Sequence, residues 1–269
     1  AADPGGYFPG FNRKEGELMI TALRAELKKI RGRFLWALPL VVVGMEFLWM
    51  MSNSYLAKPE ASAEGYFNLL FQLPLLNTIF LPLILAVMAS RICDAENKGN
   101  TYKLLCTMQE KKKIFDAKLL LGGIYILSLT LLEGANVLLL GRLLHFTQPL
   151  PIKHLLPFLA VLFVVSLALY LMQQVLSMLI TSQLMPLFIG LLGSLVGVFS
   201  AFFPVGSVAN FLPWGYYMVG LTLSSWYDES ARTMYLYESP FRWGWFSVFL
   251  IAAAALYIVG KHLFMKKEV

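Results

Sequence analysis

Residues Arg91 to Lys118 read RICDAENKGNTYKLLCTMQEKKKIFDAK, a polar island between two long apolar runs. Seven Lys/Arg and four Asp/Glu accompany a helix-spaced apolar stripe at Leu104, Leu105 and Met108. Residues three and four apart share a helix face, so the stripe predicts an amphipathic helix. Two membrane spans can be joined without one. A chain that keeps such a helix there presents a docking surface, most naturally for a cytoplasmic partner that supplies energy.

Outward from the island the chain is built for lipid. Of its 269 residues 58% are hydrophobic and 14% charged, where a soluble domain carries about 25% charged residues. Several runs approach the roughly 20 apolar residues that cross about 30 Å of hydrocarbon as a helix. The alternation of a membrane β-barrel is absent. The fold class is therefore an all-α polytopic membrane protein. Six spans are expected near 34–51, 66–92, 119–141, 155–180, 184–203 and 243–264. Trp36 and Trp49 bracket the first as interfacial anchors. Pro74 and Pro82 predict a kinked second span. Gly190, Gly193, Ser194 and Gly197 give the fifth two small-xxx-small pairs for close helix packing.

Basic residues set the orientation. With the N-terminus inside, the inner segments hold seventeen Lys/Arg and the outer ones five. Nine acidic residues fall inside and seven in the outer half or beyond, so the inner side is formally +8 and the outer −2. Both termini and the island are thus expected in the cytoplasm, with the positive charge facing anionic headgroups and no bearing on nucleic acid. Cys93 and Cys106 would then be reduced thiols.

Residues 1–18 are polar and glycine/proline-rich, a flexible leader that need not be native. Residues 19–33 carry a stripe of Ile20, Leu23, Leu27 and Ile30 and predict an amphipathic helix in the inner interface. The span region runs from 34 to 264, with the coupling segment at 91–118, and a short tail covers 265–269. Within 204–242 the run VANFLPWGYYMVGLTL is too short and too broken for a span. It predicts re-entrant or interfacial short helices before the last span, with Trp214, Tyr216, Tyr217, Trp226, Tyr227, Tyr235 and Tyr237 at the outer headgroup level.

Enzymatic signatures are missing. There is no phosphate-binding G-x-x-x-x-G-K-[ST], no H-E-x-x-H and no G-x-S-x-G. His145, His154 and His262 are not at ligand spacing, and each reads as a flanking residue. No metal and no cofactor is expected in this chain. Charge does enter the spans, however. Counted at about 1.5 Å per residue, Glu46 and Glu133 both land in the outer half of the bilayer, where a lone carboxylate costs several kcal/mol. Asn136 lies one turn beyond Glu133, and Gln72, Asn77, Gln173 and Gln174 add polar groups to spans two and four. A polar, anionic cavity formed by Glu46, Glu133, Asn136 and Gln173 is one reading. Carboxyls that are protonated, or that only bond neighbouring helices together, are the other.

These residues carry a resemblance. Gly65-Tyr66-Phe67-Asn68 leads into Leu73-Pro74-Leu75 ahead of the island. Within it come Glu96-Asn97-Lys98-Gly99, Thr101-Tyr102-Lys103-Leu104-Leu105 and a basic cluster, then Ala117-Lys118-Leu119-Leu120. The order resembles type-2 ABC exporter permeases (the ABC-2 family), and within them the permease subunits of lantibiotic-immunity and antimicrobial-peptide-resistance transporters. Many relatives have a proline after the Leu-Leu pair, where this chain has Met108-Gln109-Glu110.

The resemblance implies a half-transporter beside a second, related but different permease, over two separate ABC ATPase subunits that bind ATP and magnesium. Glu96, Gly99, Tyr102, Leu104, Leu105 and Met108 would meet the ATPase. The cargo would be a cationic peptide taken from the bacterial plasma membrane. Competing expectations are a type-2 permease for a lipid, drug or bacitracin-like peptide, an ion-coupled secondary transporter, and a membrane scaffold that only binds a partner.

Overall fold

The computed structural model describes residues 9–53, 64–98, 110–180, 182, 184–200, 211–228 and 233–267. Helices α1 (Pro9–Ile30), α2 (Ala37–Ser52), α3 (Gly65–Lys98), α4 (Lys111–Leu143), α5 (Ile152–Leu179) and α6 (Leu184–Ser200) come first. After them come a 3₁₀ turn (Pro213–Gly215), the short α7 (Tyr216–Val219), strands β1 (Leu223–Asp228) and β2 (Thr233–Glu238), and α8 (Trp243–Lys266). Four helices, α3, α4, α5 and α8, are long and apolar enough to cross a membrane. At 16 and 17 residues, α2 and α6 reach only about 25 Å as helices, so length alone does not make spans of them.

The helices run antiparallel. At one end, the hairpin end, Tyr66 of α3 packs edge-on to Phe146, just past α4, with ring centroids 5.1 Å apart. At the other, the island end, Arg33 and Arg91 each donate to the other's carbonyl at 2.7 Å, joining α3 to the α1–α2 link. Lys267 Nζ there donates to Met178 O at 2.7 Å, joining α8 to α5.

Helix α3 is central. Its Leu69, Leu70, Leu73, Leu81 and Leu85 are buried together with Leu121, Leu129 and Val137 of α4 and Val165, Leu169 and Tyr170 of α5. Leu120, Leu127, Leu131 and Leu138 of α4 stay exposed on the opposite stripe, as a helix facing lipid requires. Helix α8 is peripheral, with only 17% of its apolar window buried.

Pro74 and Pro82 lie inside α3. The ring of Pro82 cannot donate and crowds the preceding turn. Ser194 Oγ of α6 donates to Ile79 O in that turn at 2.7 Å. The glycines of α6 allow the close approach. A Cβ at Gly190 would lie 2.6 Å from Ala86 Cβ, and one at Gly193 would fall on the Trp214 ring. The packing role read from the small-xxx-small spacing is what these contacts contain.

Two expectations need correction. The segment before α8 is not made of short helices alone: beyond α7 it forms an antiparallel hairpin pairing Leu223 with Glu238 and Trp226 with Tyr235. Strand residues alternate faces. Leu223 is accordingly buried, while Trp226, Tyr235 and Tyr237 are exposed on the other face. Tyr216 and Tyr217 do not sit at a surface; both are buried, because the 3₁₀ turn and α7 fold inward against α3, α5 and α6. Such irregular backbone is tolerated at membrane depth when protein covers it. On α1, Ala22, Glu26 and Ile30 are buried while Ile20 and Leu27 are exposed, and Glu26 turns inward to a buried partner, Lys118 of α4.

Candidate functional site

Two polar sites organise the bundle. The first joins Glu46 of α2 to Glu133 of α4. Both are in effect fully buried, at 0% and 1% exposure, and their carboxyl groups lie within hydrogen-bonding reach of each other. Asn77 Nδ2 of α3 donates to Glu133 Oε1 at a long 3.4 Å. Neither oxygen of Glu46, nor Oε2 of Glu133, finds a donor among the described residues. Asn136, one turn on from Glu133, is buried with its amide nitrogen lacking an acceptor. Buried polar groups are normally satisfied. This many orphaned atoms around two acids mark a place built for something other than stability.

Near this pair the inward-folded segment contributes a hydroxyl. Tyr217 lies within electrostatic reach of Glu46, and its phenol oxygen is 2.9 Å from Ser166 Oγ of α5, both groups buried. Hydropathy alone puts Tyr217 at the surface; the glycines at 215 and 220 flanking Tyr-Tyr are the available signal of a tight inward turn.

Gln173 does not join them. Glu133 is about 15 Å from the hairpin end of α4, whereas Gln173 is about 30 Å from that end of α5. Gln173 lies instead beside α6, its Nε2 3.5 Å from where a Cβ of Gly190 would be. Gln72 and Gln174 are joints: Gln72 accepts from Asn53 at 2.9 Å, and Gln174 donates to Phe115 O at 2.9 Å.

The second site is at the island end. Of the expected ATPase contacts, Glu96 falls in the last turns of α3, while Gly99, Tyr102, Leu104, Leu105 and Met108 lie outside the described residues. Beyond them the first two turns of α4 are tied to four other helices. Lys118 Nζ, fully buried, donates to Glu26 Oε2 of α1 at 2.7 Å and to Ile92 O of α3 at 2.9 Å. Tyr170 OH of α5 donates to Lys118 O at 3.0 Å. Asp116 accepts from Lys261 of α8 at 2.6 and 2.8 Å and from Tyr257 OH at 2.8 Å. Glu110, exposed just ahead, has its carboxyl held below the usual range by Lys112 and Lys113. In the sequence Lys118 reads as one more basic flank, and its place in Ala117-Lys118-Leu119-Leu120 says nothing of its burial.

At the hairpin end His154, buried, is bracketed by Thr222 Oγ1 at 2.8 Å and Glu238 Oε1 at 3.1 Å. Lys153 donates to Glu238 Oε2 at 2.7 Å, and with His154 it holds that carboxyl below its usual range. His154 is therefore a clamp on the hairpin rather than a flanking residue.

A bundle with four helices long and apolar enough to cross a membrane, and with acids buried between its helices, defines a multi-pass membrane protein. Comparison gives its particular kind: the profile of the ABC-2 family transporter proteins matches residues 22–197, and the chain belongs to that family. It is the membrane permease and not the ATPase, and membership implies partnership with an ABC ATPase. No curated protein matches the chain.

Proposed function

We propose that this chain is a permease subunit of an ATP-driven exporter that removes cationic antimicrobial peptides of lantibiotic type from a bacterial plasma membrane, conferring immunity or resistance. In this reading α2 and α6 complete six spans, both termini and the island are cytoplasmic, and the hairpin end is outside. The seventeen-to-five split of basic residues supports that orientation. The island seats in a groove of one of two ATPase subunits, through Glu96, Gly99, Tyr102, Leu104, Leu105 and Met108. A second, related permease completes the pair.

The observation that carries the cargo assignment is the Glu46–Glu133 pair. Two carboxyls brought together at membrane depth, with no basic side chain bonded to them among the described residues, offer a cationic group the charge it lacks. Attraction in a partly desolvated site is far less screened than in water. Both acids are closed off here, so cargo reaches them only when α2 and α4 part. Asn136 extends the same face; Gln173 lies too far along the bundle to belong.

Exchanging Glu133 for Gln keeps size and removes charge. Cells carrying Glu133→Gln should make and assemble the permease yet lose protection against cationic peptides. Full protection would sink the assignment. Loss of assembly would mean that the carboxyl serves packing. A permease for a lipid, a drug or a bacitracin-like peptide is the alternative, and a panel of such compounds in the same cells separates the two.

A further inference from the structure

A run of polar groups leads from the hairpin surface toward the buried acids, and cargo binding alone gives it no use. It starts at Glu238, exposed and paired to Lys153 and His154. His154, Thr222 and Tyr217 line one small cavity, with Leu70, Pro74 and Val161 among its apolar lining. Its volume of about 10 Å³ is close to what one water needs. Tyr217 reaches Ser166 at 2.9 Å and lies within electrostatic reach of Glu46, whose carboxyl is within hydrogen-bonding reach of Glu133.

We propose that Glu46 and Glu133 together form a proton-binding site, holding one proton between them that exchanges with the hairpin side through His154, a water in the small cavity, and the Tyr217–Ser166 pair. Two carboxylates in contact within a low-dielectric bundle cannot both stay ionised without a counter-charge. No basic group is bonded to them among the described residues. Three of their four oxygens lack a donor, and a shared proton supplies one. Asn136, buried and unsatisfied on the same face of α4, marks the site independently of the two acids.

The step conserves protons. One arriving at the His154 ring is handed to the water. Tyr217 and Ser166 each accept one and release one, so the acid pair gains a single proton and no other group changes state. The charged and titratable groups facing His154 are Lys153 from its own helix and Glu238 from β2, with the Phe67 ring from α3 edge-on. Those within reach of the acids are each other and, electrostatically, Tyr217, with Asn77 as a neutral donor. When a cationic group of the cargo enters, the proton leaves by the same path, so that the site's charge tracks its occupant. The proton site rests on the same two acids as the export reading but does not depend on the cargo's identity.

The test uses the purified permease in lipid nanodiscs, without ATPase or cargo, monitored by infrared spectroscopy. At neutral pH in potassium buffer the wild type should show the C=O stretch of a protonated carboxyl, shifted by ¹³C-labelled glutamate. The Glu46→Gln/Glu133→Gln variant should lose it. If that variant does not fold, the isotope shift in the wild type decides alone. After a switch to heavy water, Tyr217→Phe should keep the band but slow its deuteration on the order of tenfold, the equivalent of one hydrogen bond lost from the path. Absence of a labelled band, or its appearance only when sodium or potassium is withdrawn, would overturn the proton site. Unchanged deuteration in Tyr217→Phe would overturn the path. A band that persists although peptide export fails its own test would leave the proton site standing and remove only the cargo reading.

Discussion

Replacing Lys118 with Met removes a charge from the most connected point of the island end. The ammonium is completely buried and Glu26 is 3% exposed, so the change strips a buried carboxylate of its closest interhelical partner. Breaking one side of a buried pair typically costs about 3–5 kcal/mol. Glu26 keeps Lys29 at 2.6 Å, on its own helix and partly exposed, which places the expected loss at the lower end, about 3 kcal/mol. Ile92 O loses a donor as well, but it sits in a helix that still supplies backbone bonding. The bond being broken is the one that holds α1 to α4, so the loss should appear as local opening of α1. A cost of about 3 kcal/mol raises the open population roughly 150-fold, and amide exchange across 22–30 should accelerate by that order, while exchange in α5 changes little. The double variant Glu26→Leu/Lys118→Met replaces the pair by apolar groups and should recover most of the protection. Exchange in Lys118→Met within about a factor of three of wild type would refute the reasoning, since an ion pair of that strength would then hold nothing in place.

Gly193→Ala should destabilise by about 1–3 kcal/mol, because its Cβ would collide with the Trp214 ring, whereas Gly44→Ala, with nothing within 4 Å, should be neutral or slightly stabilising; thermal melts of the two in detergent compare them. Leu104→Asp with Leu105→Asp should abolish pull-down of the ATPase at wild-type permease yield, since charge would enter an apolar groove at a cost of several kcal/mol. A cysteine at Lys153, whose side chain is 77% exposed, should react with an impermeant thiol reagent from outside intact cells while Cys93, buried, does not; the reverse pattern would invert the topology.

How much of the fold and of the acidic site is legible in the sequence depends on the kind of signal. Depth along a helix comes from counting, so Glu46 and Glu133 fall in one layer before any contact is known, and Asn136 joins them at one helical turn. A polar residue in an apolar run announces a partner but not which one, and for that reason Gln173 is grouped with the acids on sequence while the fold sets it beside α6. Small-residue spacing in α6 is informative because only close packing needs it. The hairpin escapes a hydropathy reading taken over a span-length window. Its evidence is local, in the β-forming residues of Leu223-Ser-Ser-Trp-Tyr and Thr233-Met-Tyr-Leu-Tyr. The burial of Lys118 against Glu26 is not readable at all. A lysine near a span end is the ordinary inner flank, and only the fold reveals that Glu26 comes to meet it.

The central claim, energy-driven export of a cationic amphipathic cargo through an acidic pair, is tested most directly by ATP hydrolysis of the purified permease–ATPase complex in liposomes. A cationic lantibiotic-type peptide should stimulate hydrolysis, a charge-neutralised analogue of it should not, and the stimulation should vanish in the Glu46→Gln/Glu133→Gln complex. Equal stimulation by the neutral analogue, or stimulation that survives loss of both carboxyls, would contradict the account.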